Sequence, residues 1–113
     1  MAAGAGGRGE PLHSPTIVLP EVTGPVQRAI GDESRSRRVL GFLLDPLFIE
    51  LVPITEALAA RSADVAIRGS LRGCDSVYVA LAEQLAQPLV TFDREQATRG
   101  GTVVRVLAPG EVP

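Results

Sequence analysis

Apolar positions follow two rhythms along this chain. Pro15-Thr16-Ile17-Val18-Leu19 is a β-branched run of strand length that stops at Pro20. Proline suits a first helical turn, where its missing N–H would be unpaired anyway. A helix with Val22, Val26, Ala29 and Ile30 should therefore follow, with Glu21 in its first turn near the strand end. Gly24-Pro25 falls inside that helix and predicts a kink or a late start, because an interior proline clashes with the turn before it. Gly31-Asp32-Glu33-Ser34 breaks the chain with capping residues. The next helix runs from Arg35 through Val39, Leu40, Leu43 and Leu44 and ends before Pro46.

Phe48 to Val52 reads as a second strand, and Thr55 as the N-cap of a helix with Leu58, Ala59, Val65 and Ala66 on one face that ends at Gly69. Asp75 opens another helix, in which Val77, Leu81 and Leu85 recur at i, i+4 and i+8 while Tyr78 and Ala82 widen the stripe. Pro88 ends it, and Leu89-Val90-Thr91-Phe92 is a third strand. Gly100-Gly101 turns the chain into a last strand, Val103 to Leu107, closed by Pro109-Gly110. Strands alternating with helices predict an α/β domain with a mainly parallel sheet. There is no internal repeat and no heptad.

Composition narrows the picture. With 113 residues there is room for one domain with a modest core. Aromatics make up only 4%, so that core must be built from Val, Leu, Ile and Ala. A net charge of −2 gives no global attraction to nucleic acid, which would have to be met by a local patch or through bound cations. All 11 basic residues are arginine, a bias that follows from a GC-rich genome as readily as from phosphate recognition. The single cysteine, Cys74, excludes an internal disulfide and a cysteine zinc site, and it fits a reducing, cytoplasmic setting. Phe42 to Ile54 is the most apolar stretch, but Asp45, Pro46, Glu50 and Pro53 interrupt it, so no membrane span is expected. Residues 1–11, rich in glycine and alanine, read as a disordered tail ahead of a domain at 12–113.

Candidate chemistry centres on acids. Asp75 would project from a first helical turn and Asp93 from the C-terminal end of a strand, the edge where ligands gather in a parallel sheet. Each alone reads as a cap or turn residue. With Glu21, three acids fall at helix starts or strand-to-helix junctions that such a sheet can bring to one edge. Carboxylates facing one another repel unless a cation intervenes. Mg2+ or Mn2+ suits hard oxygen ligands and can engage a phosphate oxygen, which fits phosphodiester hydrolysis. Arg35, Arg37 and Arg38 on one helix, and Arg72, Arg94 and Arg99 beside the acids, read first as solvated ion-pairing residues and second as holders of RNA phosphates. His13 and Cys74 have no catalytic partners, and Gly4 to Gly9 precedes no strand-to-helix turn of phosphate-binding order.

Three stretches, Pro20-Glu21-Val22, Leu71 to Glu83 and Leu89-Val90-Thr91-Phe92-Asp93, resemble the PIN domain and in particular the VapC-type toxin ribonucleases, over about residues 12 to 108. The resemblance implies a three-layer α/β/α fold and a magnesium-dependent endoribonuclease, with Mn2+ as the alternative ion. Glu21, Asp75 and Asp93 would be its acidic metal-site residues and Thr91 a hydroxyl supporting the last acid. It further implies RNA as substrate, with Arg72 and Arg94 beside it, an antitoxin protein as partner, and room for a homodimer.

PIN domains also open with a strand that bears an aspartate, and the resemblance places it centrally, between Thr16–Leu19 and Leu89–Phe92. Only the glycine-rich tail precedes Leu12, and its one acid, Glu10, ends no apolar strand. Without the central strand two rows of backbone groups lack partners. The expectation is a truncated domain of poor stability and weak activity. Its start would lie upstream, or the chain is a remnant that binds RNA or an antitoxin without cutting, or the two edges close on each other. An α/β interaction domain unrelated to nucleases would leave the three acids as caps and turn residues.

Overall fold

The computed structural model of the chain describes residues 2–4, 10–91 and 93–111. Five strands form one sheet: β1 (Ala2–Gly4), β2 (Leu12–Pro15), β3 (Ile49–Val52), β4 (Leu89–Thr91) and β5 (Val106–Leu107), in the order β3-β2-β1-β4-β5. β2 pairs with β3 and β4 with β5 in parallel, whereas β1 runs antiparallel to both of its neighbours. Five α-helices accompany the sheet: α1 (Val18–Ile30), α2 (Glu33–Leu43), α3 (Glu56–Gly69), α4 (Gly73–Leu85) and α5 (Arg94–Gly100). The fold is mixed α/β, compatible with a three-layer α/β/α arrangement. Among the described residues no helix is long and apolar enough to cross a membrane.

The core is organised by α4. Tyr78, Val79, Ala80, Leu81 and Ala82 are all buried in succession, the mark of a helix enclosed on every side rather than along one stripe. Against it lie Val18 of α1, Leu43 of α2, Leu58 and Val65 of α3, and Leu89 of β4. Arg61 of α3 grips Glu83 of α4 with two hydrogen bonds of 2.5 and 2.6 Å, so the α3–α4 packing carries a bidentate ion pair at its rim. α5 approaches closely because Gly100 has no side chain: a Cβ there would stand 3.1 Å from Val79 Cγ2 and 3.3 Å from Leu89 Cδ2.

Local capping fixes several boundaries. Asp32 accepts from the Arg35 N–H and Thr55 from the Leu58 N–H, each satisfying a donor that the helix start leaves open. α1 ends at Gly31, whose φ of 70° is the left-handed conformation that glycine adopts at least cost.

Two expectations about the N-terminal half need correction. The strand expected at Pro15 to Leu19 lies instead at Leu12–Pro15; Val18 is already the first residue of α1 and is fully buried. Pro20 then occupies the third helical position, where no backbone donor is needed. α1 also begins at Val18 and runs through Pro25, without the expected late start.

The larger correction concerns the tail. Ala2–Gly4 is not a tail segment but the central strand, with Ala2 opposite Thr91, Ala3 opposite Val90, and Gly4 opposite both Leu89 and His13. Residues 1 and 5–9 lie outside the described residues, as does Phe92 of the expected third strand. The physical cause is backbone pairing: β2 and β4 each present a row of donors and acceptors to the middle of the sheet, and β1 meets them. Space at its end is tight, since a Cβ at Gly4 would come within 3.1 Å of Gln87 Oε1. Among the described residues β1 meets β2 at one registered pair, and His13 Nδ1 and Gln87 Oε1 are buried without a hydrogen bond.

If β1 closes the sheet, a chain begun at Glu10 should lose about 3 kcal/mol in urea denaturation, at about 1 kcal/mol for each ladder hydrogen bond removed. An unchanged midpoint would show instead that β2 and β4 pair directly.

Candidate active site

Asp75 and Asp93 reach one place from two helix starts. α4 begins after Arg72, whose extended backbone makes it the N-cap although its side chain makes no capping hydrogen bond. Asp75 is the third residue of that helix, so its carboxylate caps nothing, and the first turn favours a negative charge at that point. Its Oδ2 lies 3.1 Å from Arg72 Nε. Asp93 follows β4 and does cap α5: its Oδ1 accepts from the Glu95 N–H at 2.9 Å and the Gln96 N–H at 3.1 Å. Its Oδ2 is left to Arg72 Nη2, at 3.4 Å. One guanidinium thus spans both aspartates.

Two side chains hold this junction in place. The Thr91 hydroxyl oxygen accepts from the Asp93 N–H at 3.0 Å, so Thr91 positions the backbone of Asp93 rather than its carboxylate. Gln96, only 3% exposed, donates from Nε2 to the Asp75 carbonyl at 3.4 Å and ties α5 to the start of α4.

Glu21 arrives differently. It sits in the first turn of α1 and lies beside Cys74, whose thiol is pushed up first by the hydrogen-bonding Glu21 carboxylate and then by burial. Tyr78 adjoins the same place; burial, and then the charge of Glu21, push its hydroxyl far above the usual range. Glu21 Oε1 and the Tyr78 hydroxyl are both buried without a hydrogen bond. All three acids therefore border the first turn of α4, but they do not converge: among the described residues no three His, Cys, Asp or Glu side chains are grouped to hold a metal ion.

The aspartate pair by itself fits a hard divalent ion. Mg2+ is commonly held by one or two carboxylates, keeps several waters and completes its shell with substrate phosphate, so Asp75 and Asp93 suffice in donor chemistry. Beside Asp93 a groove of about 430 Å³ is lined by Thr91, Arg94, Ala97 and Val106. A larger opening of about 480 Å³ lies between α1 and α2, away from these acids, around Thr23, Gln27 and Leu40.

The arginines divide. Arg35 pairs with Asp32, Arg37 with Glu33 and Arg99 with Glu95, the local ion pairs of a solvated face. Arg72, expected to face phosphate, is engaged by the two aspartates, while Arg94 is exposed and has no acidic partner among the described residues. Reading the sequence missed α5 and Gln96, although Asp93-Arg94-Glu95-Gln96 spells the cap-to-third-position pattern of a helix start.

The capping hydrogen bonds from Gln96 and Glu95 hold the Asp93 carboxyl below its ordinary range, although part of that is offset by desolvation. A depressed value stabilises the fold above the ordinary carboxylate range, and the contribution is lost as pH falls through the folded value. Asp93→Ala should cost about 1 kcal/mol at neutral pH, whereas Asp93→Asn, which keeps an accepting oxygen, should cost less. Urea curves at neutral and acid pH check this, since Asp93→Asn should also lose less stability on acidification than the wild type. Equal losses for both variants would remove the capping role.

A comparison with curated proteins gives no match. A family model for the PIN domain matches residues 2–101, which takes in β1 as well as the elements carrying Glu21, Asp75 and Asp93. That span is nearly the whole chain, and the chain belongs to the PIN domain family, whose members are generally nucleases.

Proposed function

We propose that this chain is a metal-dependent endoribonuclease that hydrolyses RNA phosphodiester bonds, with Asp75 and Asp93 as its principal acids. The observation that supports it is the reach of a single guanidinium to both carboxylates, at 3.1 and 3.4 Å. Two acids that close have little reason to coexist unless a positive charge is shared between them. Mg2+, or Mn2+ in its place, held by Asp75 and Asp93, would supply Lewis-acid activation of phosphate and water.

The chain's own residues supply positioning. The N–H groups of Glu95 and Gln96 fix one oxygen of Asp93 and leave the other to Arg72. Gln96 keeps the two helix starts together. Arg94, on the rim of the groove beside Asp93, holds an RNA phosphate. Glu21 orients water at the edge of the site through its unpartnered oxygen. The resemblance to VapC-type toxins extends this reading to a cytoplasmic toxin, open to homodimer formation, whose antitoxin covers the aspartates. It also includes the replacement of the family's first strand and its aspartate by Ala2–Gly4.

A second reading is supported by the missing third acid. β1 offers Ala2-Ala3-Gly4 where a PIN domain carries an aspartate, and Glu21 stops at Cys74. The chain would then bind RNA or an antitoxin without cutting.

Incubation with single-stranded RNA in Mg2+ or Mn2+ should give defined cuts that Asp75→Asn abolishes. Binding without cuts would support the second reading, and cuts that persist in Asp75→Asn would reject the site. Arg94→Ala should flatten the dependence of log binding constant on log salt by about 0.7, one single-strand phosphate contact. An unchanged slope would exclude Arg94 from phosphate contact.

A further inference from the structure

We propose that Arg72 is an internal counter-ion that competes with a divalent cation for Asp75 and Asp93. The inference deepens the metal-dependent reading above and rests on it for the identity of the competing ion.

Three features of Arg72 support it. Its contacts fall on the oxygens that a shared cation would need: Asp93 Oδ1 is committed to the cap of α5, and Oδ2, the remaining oxygen, is the one Arg72 takes. Arg72 also contacts Oδ2 of Asp75. Cation and guanidinium cannot both hold this pair of oxygens.

The grip is also loose. Charge-assisted nitrogen-to-oxygen contacts close to about 2.7–2.9 Å when optimal. Arg61 also serves two carboxylates, yet it reaches Glu83 at 2.5 and 2.6 Å and Asp64 at 2.5 Å with its side chain 38% exposed. Arg72 divides itself between two carboxylates at 3.1 and 3.4 Å with its side chain 69% exposed. An arginine that open to water gives up such contacts at small cost, since exposed pairs contribute little.

Charge favours the exchange. Two aspartates with one arginine leave a net charge of about −1, whereas a divalent ion neutralises the pair. Arg72 meanwhile stays anchored at the N-cap of α4, so the released guanidinium remains beside the aspartates. There it is free to take a phosphate oxygen.

The test is calorimetric titration of the full chain with Mn2+, comparing wild type, Arg72→Gln and Arg72→Lys. Arg72→Gln, which removes the charge and keeps a polar side chain, should bind Mn2+ about tenfold more tightly than wild type. Arg72→Lys, which keeps the charge but cannot span two carboxylates, should fall between them. In Arg72→Gln with Asp75→Asn the gain should vanish, and circular dichroism confirms that each variant is folded. Mn2+ affinity in Arg72→Gln equal to or weaker than wild type, or no binding in either, overturns the proposal. The two readings fail separately: absent RNA cleavage with a tenfold gain in affinity sinks the nuclease reading alone. Cleavage with unchanged Mn2+ affinity sinks the counter-ion alone.

Discussion

The need to pair the backbone in the middle of the sheet governs this molecule. β2 and β4 run in the same direction without pairing with each other, and each carries peptide groups that a buried position cannot leave open. Three residues at the start of the chain meet that need by running antiparallel between them. The consequence reaches outward from there. α4 packs on β1 and β2 and collects the core around Tyr78 to Ala82, and β4, held in register by β1, delivers Asp93 to the start of α5. The placement of the acids thus follows from hydrogen bonding some distance away from them.

Electrostatics then works on a frame that is already set. α4 and α5 both begin at the same edge, and each start tolerates a carboxylate because the helix leaves donors and positive potential there. Asp93 uses one oxygen locally and presents the other, whereas Asp75 has no capping duty and turns one oxygen to Arg72. The difference between the two aspartates is positional. One is an N-cap and the other stands three residues inside its helix.

What the sequence disclosed was what short-range chemistry encodes. Asp32 and Thr55 were legible as caps because the accepting side chain and the donor N–H lie three residues apart. Asp75 and Asp93 were legible as a helix start and a strand end for the same reason. The run Ile17-Val18-Leu19 misled, since apolar β-branched residues serve a buried helix start as well as a strand, and Pro15 rather than Pro20 ends the ladder. α5 was missed because Arg94-Glu95-Gln96-Ala97-Thr98-Arg99-Gly100 shows no apolar period; its cap and the buried Gln96 hold it. β1 could not be read at all. Alanine and glycine are poor strand formers, and their role here is decided by partners at Leu89 to Thr91, far along the chain.

The unpaired polar atoms fall in two places. His13 Nδ1 and Gln87 Oε1 flank Gly4, while Glu21 Oε1 and the Tyr78 hydroxyl lie near the first turn of α4. A buried polar atom without a partner costs about 1–3 kcal/mol, so neither place is idle. β1 answers the backbone of its neighbours and little else: it has three residues, one registered pair with β2, and no side chain that could donate, accept or carry charge. The sheet closes on it all the same, because backbone pairing is indifferent to side chains. Among the described residues no third carboxylate joins Asp75 and Asp93, which find their counter-charge in Arg72. Fold and site are therefore separable here: residues that can only pair backbone preserve the first and leave the second dependent on an arginine.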